Sequence, residues 1–186
     1  MEKFDSMINL SKQNLISPEV IHSVEEMIDL NKYSVDTLIG MADKNKRKKI
    51  RFCSHSEVSE LVQEMTIVLP KGAYVRPHKH LNKIESMMVL QGRADYVIFS
   101  EEGVVTEVSK LGDYLSGYPF YHSTRKPVYH TLVIYSDWLV FYEVTQGPFT
   151  RSETIFADWS PEENEVEQIQ EFQKTIEDQI NEFLYS

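Results

Sequence analysis

The sequence predicts a mainly β protein, a single sandwich or closed barrel with helices at both ends. Between residues 50 and 146, apolar side chains recur over short segments with the two-residue period of strands. Turns such as Glu101-Glu102-Gly103 separate the segments, and many short strands with glycine-bearing turns are typical of sandwiches and barrels. The predicted strands cover residues 61–69, 84–91, 94–99, 104–108, 128–135 and 138–145.

Two helices are predicted before the strands, in an N-terminal appendage over residues 1–48. Ser17 followed by Pro18 matches an N-cap with proline in the first helical turn, and apolar residues continue at helical spacing to Leu30. A second helix is predicted over about residues 34–42. His22 lies in the first helix, where a surface or interface position is more typical than metal binding.

An amphipathic helix is predicted over residues 161–186, after a barrel over residues 49–160. Ser160-Pro161-Glu162-Glu163 is a capping-box arrangement with proline at the first helical position. An apolar stripe follows, and we expect it to pack on the barrel or on a second subunit, because a free helix of this kind is marginal in water. The stripe consists of Val166, Ile169, Phe172, Ile176, Ile180 and Phe183.

Composition narrows the possible functions. The chain has 186 residues, which suits one domain with appendages, and a formal net charge of −10, which argues against general nucleic-acid binding. The basic run at residues 44–49 is interpreted as a solvated connector. Cys53, the single cysteine, excludes an internal disulfide and is interpreted as a small buried residue in a reducing compartment. No targeting or membrane-spanning pattern is evident, so we expect a cytoplasmic protein.

Metal-binding side chains are concentrated between Gly72 and Gly92. His78 and His80 have the same strand parity and therefore project from the same face. A break at residues 81–83 lets Glu85 return toward them from the next strand. Imidazole nitrogens and a carboxylate oxygen are ligands that divalent transition ions take.

The spacing of five residues resembles the first motif of the cupin superfamily: Gly72, His78, His80, Glu85 and Gly92. The resemblance implies a double-stranded β-helix, or jelly-roll, barrel and one divalent transition metal ion, with Zn, Fe, Mn and Ni all open. A fourth ligand is expected further along, and His122 and His130 both stand near imperfect versions of the second cupin motif. We favour His130, because it enters a β-branched strand that would fix its direction.

Six segments spread along the chain carry a narrower resemblance: Arg51-Phe-Cys-Ser-His55, Gln63-Glu-Met65, Tyr74-Val-Arg76-Pro-His-Lys-His80, Tyr129-His130-Thr131, Gly147-Pro148-Phe149 and Phe156-Ala-Asp-Trp159-Ser-Pro161. Together they resemble the WbuC family of cupin-fold metalloproteins. The resemblance covers most of the chain from the first helix to Pro161, and it implies a connection with O-antigen and other surface-polysaccharide synthesis.

Further residues are predicted to surround the metal. Tyr74 and Arg76 share the parity of the two histidines, and an arginine fork suits a carboxylate or phosphate, although a structural ion pair is an equal alternative. Tyr129 belongs to an aromatic cluster on which a sugar ring could stack, although aromatic cores are commoner. His55 and Glu143 are the candidate proton-transfer residues; His55 could equally be a satisfied structural histidine.

Three functions are compatible with this pattern. The first is an enzyme of surface-sugar metabolism, with isomerase or epimerase chemistry at the metal. The second is a non-catalytic, metal-dependent module that binds a small sugar or organic acid, and the third is an iron-dependent dioxygenase. A purely structural metal is a further alternative. We expect a homodimer that binds neither nucleic acid nor membrane.

Overall fold

The computed structural model describes residues 13–185, and its strands form two sheets. One sheet has seven strands in the order β1-β2-β3-β4-β11-β6-β9 and the other has five in the order β12-β5-β10-β7-β8. The first consists of β1 (Gln13–Ser17), β2 (Val20–Ser23), β3 (Ile50–Cys53), β4 (Val62–Pro70), β6 (Glu85–Gln91), β9 (Tyr121–Thr124) and β11 (Trp138–Gln146). The second consists of β5 (His78–His80), β7 (Arg93–Phe99), β8 (Val105–Gly112), β10 (Tyr129–Ile134) and β12 (Thr154–Phe156). The helices α1 (Lys32–Lys44) and α2 (Val166–Tyr185) complete the described part of the fold.

The main apolar core lies between the two sheets, and both contribute alternate side chains to it. This arrangement is the predicted mainly β, two-sheet barrel, and it confirms the fold class. The buried core residues are Leu69, Met87, Val89, Ala94, Tyr96, Ile98, Leu111, Leu132, Ile134, Leu139 and Phe141. Since His130 has the same parity on β10 as Leu132 and Ile134, it also points into the barrel.

Helix α1 packs on the outer face of the seven-stranded sheet. Asn31 is its N-cap, and the Asn31 side chain accepts a hydrogen bond from the Ser34 backbone N–H at 3.2 Å. Leu38 and Ala42 are fully buried against sheet residues that include Phe52 and Val68. The helix predicted over 34–42 is therefore confirmed, with about one further turn distributed between its ends.

The helix predicted to follow Ser17 is wrong. Val20–Ser23 is strand β2, which pairs antiparallel with β1 and parallel with β3. The Glu19 backbone N–H donates to Ser17 Oγ at 3.2 Å in the tight connection, because serine and proline suit a turn as well as a helix start. Ile21 is 1% exposed, so strand pairing and burial of apolar side chains determine the conformation of this segment. Residues 1–12 of the predicted appendage lie outside the described residues.

Helix α2 packs on the outer face of the five-stranded sheet of its own chain. Ile176 and Ile180 are each 3% exposed, in a cluster with Val97, Phe99 and other sheet residues. The backbone N–H of Val105 also donates to the side chain of Gln179 in α2, at 2.9 Å. No helix in the range 13–185 is long and apolar enough to cross a membrane.

The predicted start of this helix at residue 161 needs correction, because α2 begins at Val166. Ser160 is not an N-cap. Its hydroxyl donates to the Ala157 carbonyl at 2.7 Å and is buried beneath the Arg76 side chain. The Glu162 backbone N–H bonds instead to the side chain of Glu165 at 2.7 Å.

Candidate metal centre

Three histidines converge at one end of the barrel. His78 and His80 come from β5 and His130 comes from β10, where it pairs directly with His78. The ring centroids of His78 lie 5.0 Å from His80 and 4.5 Å from His130, and those of His80 and His130 are 5.7 Å apart. Each ring offers one nitrogen within 4.8 Å of the other two, so the three could hold one metal ion.

Glu85 reaches the same place from the opposite sheet, as the first residue of β6. Its Oε2 lies 3.1 Å from His80 Nε2 and its Oε1 lies 3.5 Å from His130 Nε2. The residue is 8% exposed. The strand pattern is interrupted at residues 81–83, between β5 and β6. As the sequence predicted, this interruption lets the chain turn back and brings Glu85 to the histidines, although Glu85 does not share their strand parity.

Hydrogen bonds on the far side of each ring orient the three imidazoles. His78 Nδ1 donates to the Arg76 carbonyl at 2.8 Å, and His130 Nδ1 donates to the Val128 carbonyl at 3.0 Å. His80 Nδ1 lies 3.2 Å from the Thr154 hydroxyl. The two carbonyl bonds fix the tautomers of His78 and His130 and leave Nε2 of each with its lone pair, and the Thr154 hydroxyl orients the ring of His80.

The protonation states also suit a metal ion. Burial, and then the neighbouring His130, lower the pKa of His78 to about 4, so the ring is neutral at physiological pH. Burial alone would raise the pKa of Glu85, but the neighbouring His130 and His80 outweigh it and hold the pKa well below its usual range. The neutral imidazole of His78 and the ionised carboxylate of Glu85 are the forms in which these residues bind a divalent transition metal.

His122, the alternative fourth ligand, does not join this group. Its ring lies 4.0 Å from that of Tyr96, and its Nε2 is 3.0 Å from the Thr124 hydroxyl. Tyr96 in turn lies 5.1 Å from the ring of His130. His130 is thus the one brought to His78 and His80.

Glu143 lies inside the barrel next to the centre. On β11 it is paired with Met65 on one side and Met87 on the other, and Met87 lies in the barrel core. Burial raises the pKa of Glu143 well above its ordinary value, the negative charge of Glu85 adds to the rise, and Arg51 partly offsets it. The structure therefore provides a carboxyl group that favours its protonated form beside the metal centre.

Tyr74 and Arg76 are placed differently from the sequence-based expectation. The Tyr74 hydroxyl donates to the Pro161 carbonyl at 2.9 Å, and its ring packs edge-on against Phe172 of α2. Arg76 donates to Ser160 Oγ at 3.2 Å and its guanidinium lies over the Phe156 ring. Strand parity fails here because β5 contains only His78–His80 and the preceding residues follow no strand geometry.

Tyr129 also faces away from the histidines. Alternation along β10 turns it outward when His130 points inward, and Tyr129 packs edge-on against Trp159 in the cluster under α2. Tyr129 is therefore a residue of an aromatic core, which was the alternative to a sugar-stacking role. His55 is buried beside His22 and Cys53 on the β2–β3 side of the larger sheet, apart from the His78 group.

Two residues with functional contacts had no signal in the sequence. Tyr96 lies between His122 and His130, and Thr154 holds the ring of His80. Thr154 belongs to β12, which pairs with β5 and is too short for its periodicity to be recognised. The alternation of β7 could have indicated that Tyr96 faces inward, but not which rings it meets.

Comparisons with known proteins agree with the barrel. A family profile described as a domain of unknown function (DUF6016) matches residues 30–111, somewhat less than half of the chain. A search among curated proteins found no sequence match. Protein SO0799 from Shewanella oneidensis superposes with a TM-score of 0.50 at 14% identity, covering 65% of this chain and 82% of that one. The chain has the cupin fold.

Oxalate decarboxylases are also similar in structure. The Bacillus subtilis enzyme, in its structure at pH 4.6, gives a TM-score of 0.45 at 18% identity over 58% of this chain, and this chain covers 27% of that one. The formate complex of the Lactobacillus farciminis enzyme gives 0.41 at 17% identity, with 53% and 28% covered. The chain therefore spans about a quarter of the length of these decarboxylases. Their likeness concerns the fold alone.

Proposed function

We propose that this cupin binds one divalent transition metal ion and uses it to isomerise or epimerise a small carbohydrate or nucleotide sugar in surface-polysaccharide synthesis. The observation that carries the proposal is the convergence of His78, His80, His130 and Glu85 beside a second carboxyl group, Glu143. His78 and His80 are only partly buried, so a small molecule can approach them. The sugar substrate rests on the resemblance to the WbuC family.

The four residues would hold the metal, which would supply Lewis acidity toward a carbonyl or a pair of hydroxyls. Glu85 and the histidines, already oriented by their hydrogen bonds, need little rearrangement to bind it. Glu143 is the group suited to moving a proton, because burial raises its pKa and lets it keep a proton that an ordinary carboxyl group would have lost. His55, the other candidate, lies in a separate cluster and has no such role in this proposal.

Arg51 replaces Arg76 as the cation suited to an anionic substituent. Arg76 is engaged by Ser160 and the segment around it, whereas Arg51 is exposed on β3 and has the parity of Cys53. Its Nη1 lies 3.8 Å from Met65 Sδ, and its charge acts on the carboxyl of Glu143. A guanidinium at this position could bind a phosphate or carboxylate of a substrate.

The first test is elemental analysis of the purified protein beside a His78→Ala/His80→Ala variant. We expect close to one metal ion per chain at this site, and its loss in the variant. The identity of the ion would also weigh the dioxygenase alternative, because iron favours it. Absence of metal from the His78 group after loading would contradict the proposal.

The second test is solvent-deuterium incorporation into nucleotide sugars and phosphosugars by the metal-loaded protein, followed by NMR. Turnover should appear in the wild type and fall at least 100-fold in Glu143→Gln, which keeps the size of the side chain and should keep the metal. Arg76→Gln is the matched comparison for Arg51→Gln: only the latter should raise KM. A variant Glu143→Gln with wild-type turnover would remove Glu143 from the mechanism.

A non-catalytic binding module is the second candidate, and the placement of Tyr74, Arg76 and Tyr129 favours it. These three predicted substrate contacts face the outer clusters, which leaves fewer groups to act on a bound sugar. Saturable, metal-dependent binding of a sugar or organic acid by calorimetry, without deuterium exchange, would decide for this candidate.

We also propose a cytoplasmic homodimer, in which chains associate through their sheets or through the exposed apolar residues of α2. Val166 and Phe183 are 63% and 43% exposed. Sedimentation velocity at micromolar concentration tests the dimer, and a monomer throughout would contradict it.

A further inference from the structure

A second group of metal-binding side chains lies where the sequence indicated no site. Parallel pairing of β2 with β3 places His22 directly beside Cys53, and His55 follows Cys53 by two residues. All three are buried, with exposures of 7%, 1% and 5%. Each offers one ligand atom, and these atoms lie within 4.8 Å of one another.

The ring of His22 is held in the tautomer that a metal needs. Its Nδ1 lies 3.1 Å from the backbone carbonyl of His55, to which it donates, and this leaves Nε2 with a lone pair. The His22 and His55 rings meet edge to face, with centroids 5.0 Å apart. A carbonyl bond behind a ligating ring is the support usually found in metal sites.

His55 takes the same tautomer when its Nδ1 gives up the hydrogen bond from the Glu64 backbone N–H. Its Nδ1 lies 3.1 Å from the Glu64 carbonyl and 3.0 Å from the Glu64 backbone N–H, so it can either donate or accept. When it donates to the carbonyl, Nε2 is free to bind a metal. Burial is the main cause that lowers the pKa of His55, which keeps the ring neutral at physiological pH.

We propose that His22, Cys53 and His55 form a second metal site, for a zinc-like divalent ion bound by two imidazoles and a thiolate. Zinc binds imidazole nitrogen at about 2.0–2.1 Å and thiolate sulfur at about 2.3 Å. A tetrahedral ion with such bonds separates its ligands by roughly 3.3–3.8 Å, so the group needs a contraction of no more than about 1.5 Å. The fourth position is left for water or a small ligand.

This set differs in chemistry from the His78 group. A thiolate is a soft ligand that favours zinc over magnesium, calcium or manganese, whereas three imidazoles and a carboxylate accept a wider range of ions. The two groups share no residue, and His22 and Cys53 lie on the seven-stranded sheet, whereas the three histidines of the first group lie on the five-stranded sheet. Metal binding at one group can therefore be lost without loss at the other.

Cobalt(II) provides a probe specific to the second site. Because Cys53 is the only cysteine in the chain, a thiolate-to-cobalt charge-transfer band in the near ultraviolet reports on this site alone. The full chain would be stripped with chelator, reduced, and titrated with cobalt(II). We expect the band to reach its maximum by two equivalents of cobalt(II) per chain, one for each site, and to disappear when two equivalents of zinc(II) are added.

Matched variants test whether the charge-transfer band arises from the second site. Cys53→Ser keeps the size of the side chain and should abolish it, and His55→Gln should weaken cobalt binding at least 10-fold. His78→Ala/His80→Ala should lose metal from the first site and retain the band. Circular dichroism melting confirms that each variant is folded.

Two results would overturn the proposal. One is a folded wild type with a fully reduced thiol that gives no charge-transfer band at two or more equivalents of cobalt(II) per chain. The other is a band that persists unchanged in His22→Ala/His55→Ala, which would show a cysteine binding cobalt without the histidines. If Cys53→Ser does not fold, the zinc displacement in the wild type and the double histidine variant still decide the question.

Discussion

The ring of Tyr96 stacks on the imidazole of His130, with centroids 5.1 Å apart and planes inclined by 11°. The ring centroid of His122 lies 4.0 Å from that of Tyr96, and the Tyr96 hydroxyl lies 3.0 Å from the Thr124 hydroxyl. Tyr96 is 2% exposed and belongs to the barrel core. The Tyr96 ring therefore limits rotation of the His130 ring, and the Val128 carbonyl holds Nδ1 of His130.

Removing the aromatic ring at position 96 should weaken metal binding. We expect Tyr96→Leu to raise the metal Kd about 10-fold, because loss of the support behind a ligand typically costs 10–100-fold in affinity. Tyr96→Phe is the control, since it keeps the stacking and removes only the hydroxyl that meets Thr124. Its Kd should stay within about 3-fold of the wild type in a competition assay with a chromogenic chelator. Equal affinity of Tyr96→Leu and the wild type would show that the stacking does not position His130.

The hydroxyl of Thr154 should matter in the same way for His80. Thr154→Val has almost the same shape but cannot bond to His80 Nδ1, so we expect the metal Kd to rise about 10-fold. Thr154→Ser keeps the hydroxyl and should restore most of the affinity. A serine variant as weak as the valine variant would attribute the effect to packing on β12 instead.

The thiol of Cys53 should react slowly in the native, metal-free protein. Burial raises its pKa to about 11, so at pH 8 it is almost entirely the unreactive thiol. With chelator present, a disulfide reagent should modify it slowly in buffer and fast in denaturant. Fast modification of the folded protein at pH 8 would contradict this environment.

The same pKa makes a prediction about stability. The pKa of a cysteine in an unfolded chain is about 8.5, below the value of about 11 in the folded protein. The contribution of the buried neutral thiol to the free energy of unfolding is therefore fully present below about pH 8.5 and is lost as the pH rises toward about 11. The free energy of unfolding of the metal-free wild type should therefore fall more between pH 8 and pH 10 than that of Cys53→Ala. Parallel pH profiles in urea titrations would show that Cys53 does not titrate on unfolding.

Helix α2 should stabilise the barrel on which it packs. Ile176→Ala and Ile180→Ala each remove a side chain that is 3% exposed, and each should cost about 2–5 kcal/mol of unfolding free energy. Gln170→Ala, at an exposed polar site on the same helix, should change it by less than about 0.5 kcal/mol. Urea unfolding at two protein concentrations measures this and separates packing within one chain from packing between subunits. Similar costs for all three would contradict the packing described.

Local patterns were sufficient where one period extended over several residues. The six strands predicted from alternation correspond to β4, β6, β7, β8, β10 and β11, with ends that differ by a few residues. The short strands β9 and β12 were not singled out, because three or four residues do not establish a period. Ser17-Pro18 was misread for a related reason: the same dipeptide serves a turn and a helix start, and only pairing with β3 distinguishes them.

The sequence by itself determined the class of the fold and predicted that His78, His80 and Glu85 belong to one group, because glycine spacing, strand parity and the His-x-His pair are local properties of the chain. Only the tertiary structure decided between His130 and His122, and decided which other side chains surround the group. Tyr74 and Arg76 bond to Pro161 and Ser160 in the C-terminal segment, and Tyr96 stacks on His130. His22 lies beside Cys53 because β2 and β3 pair in parallel. These contacts join residues tens of positions apart, and their geometry depends on which strands become neighbours, a choice made by the packing of the whole barrel.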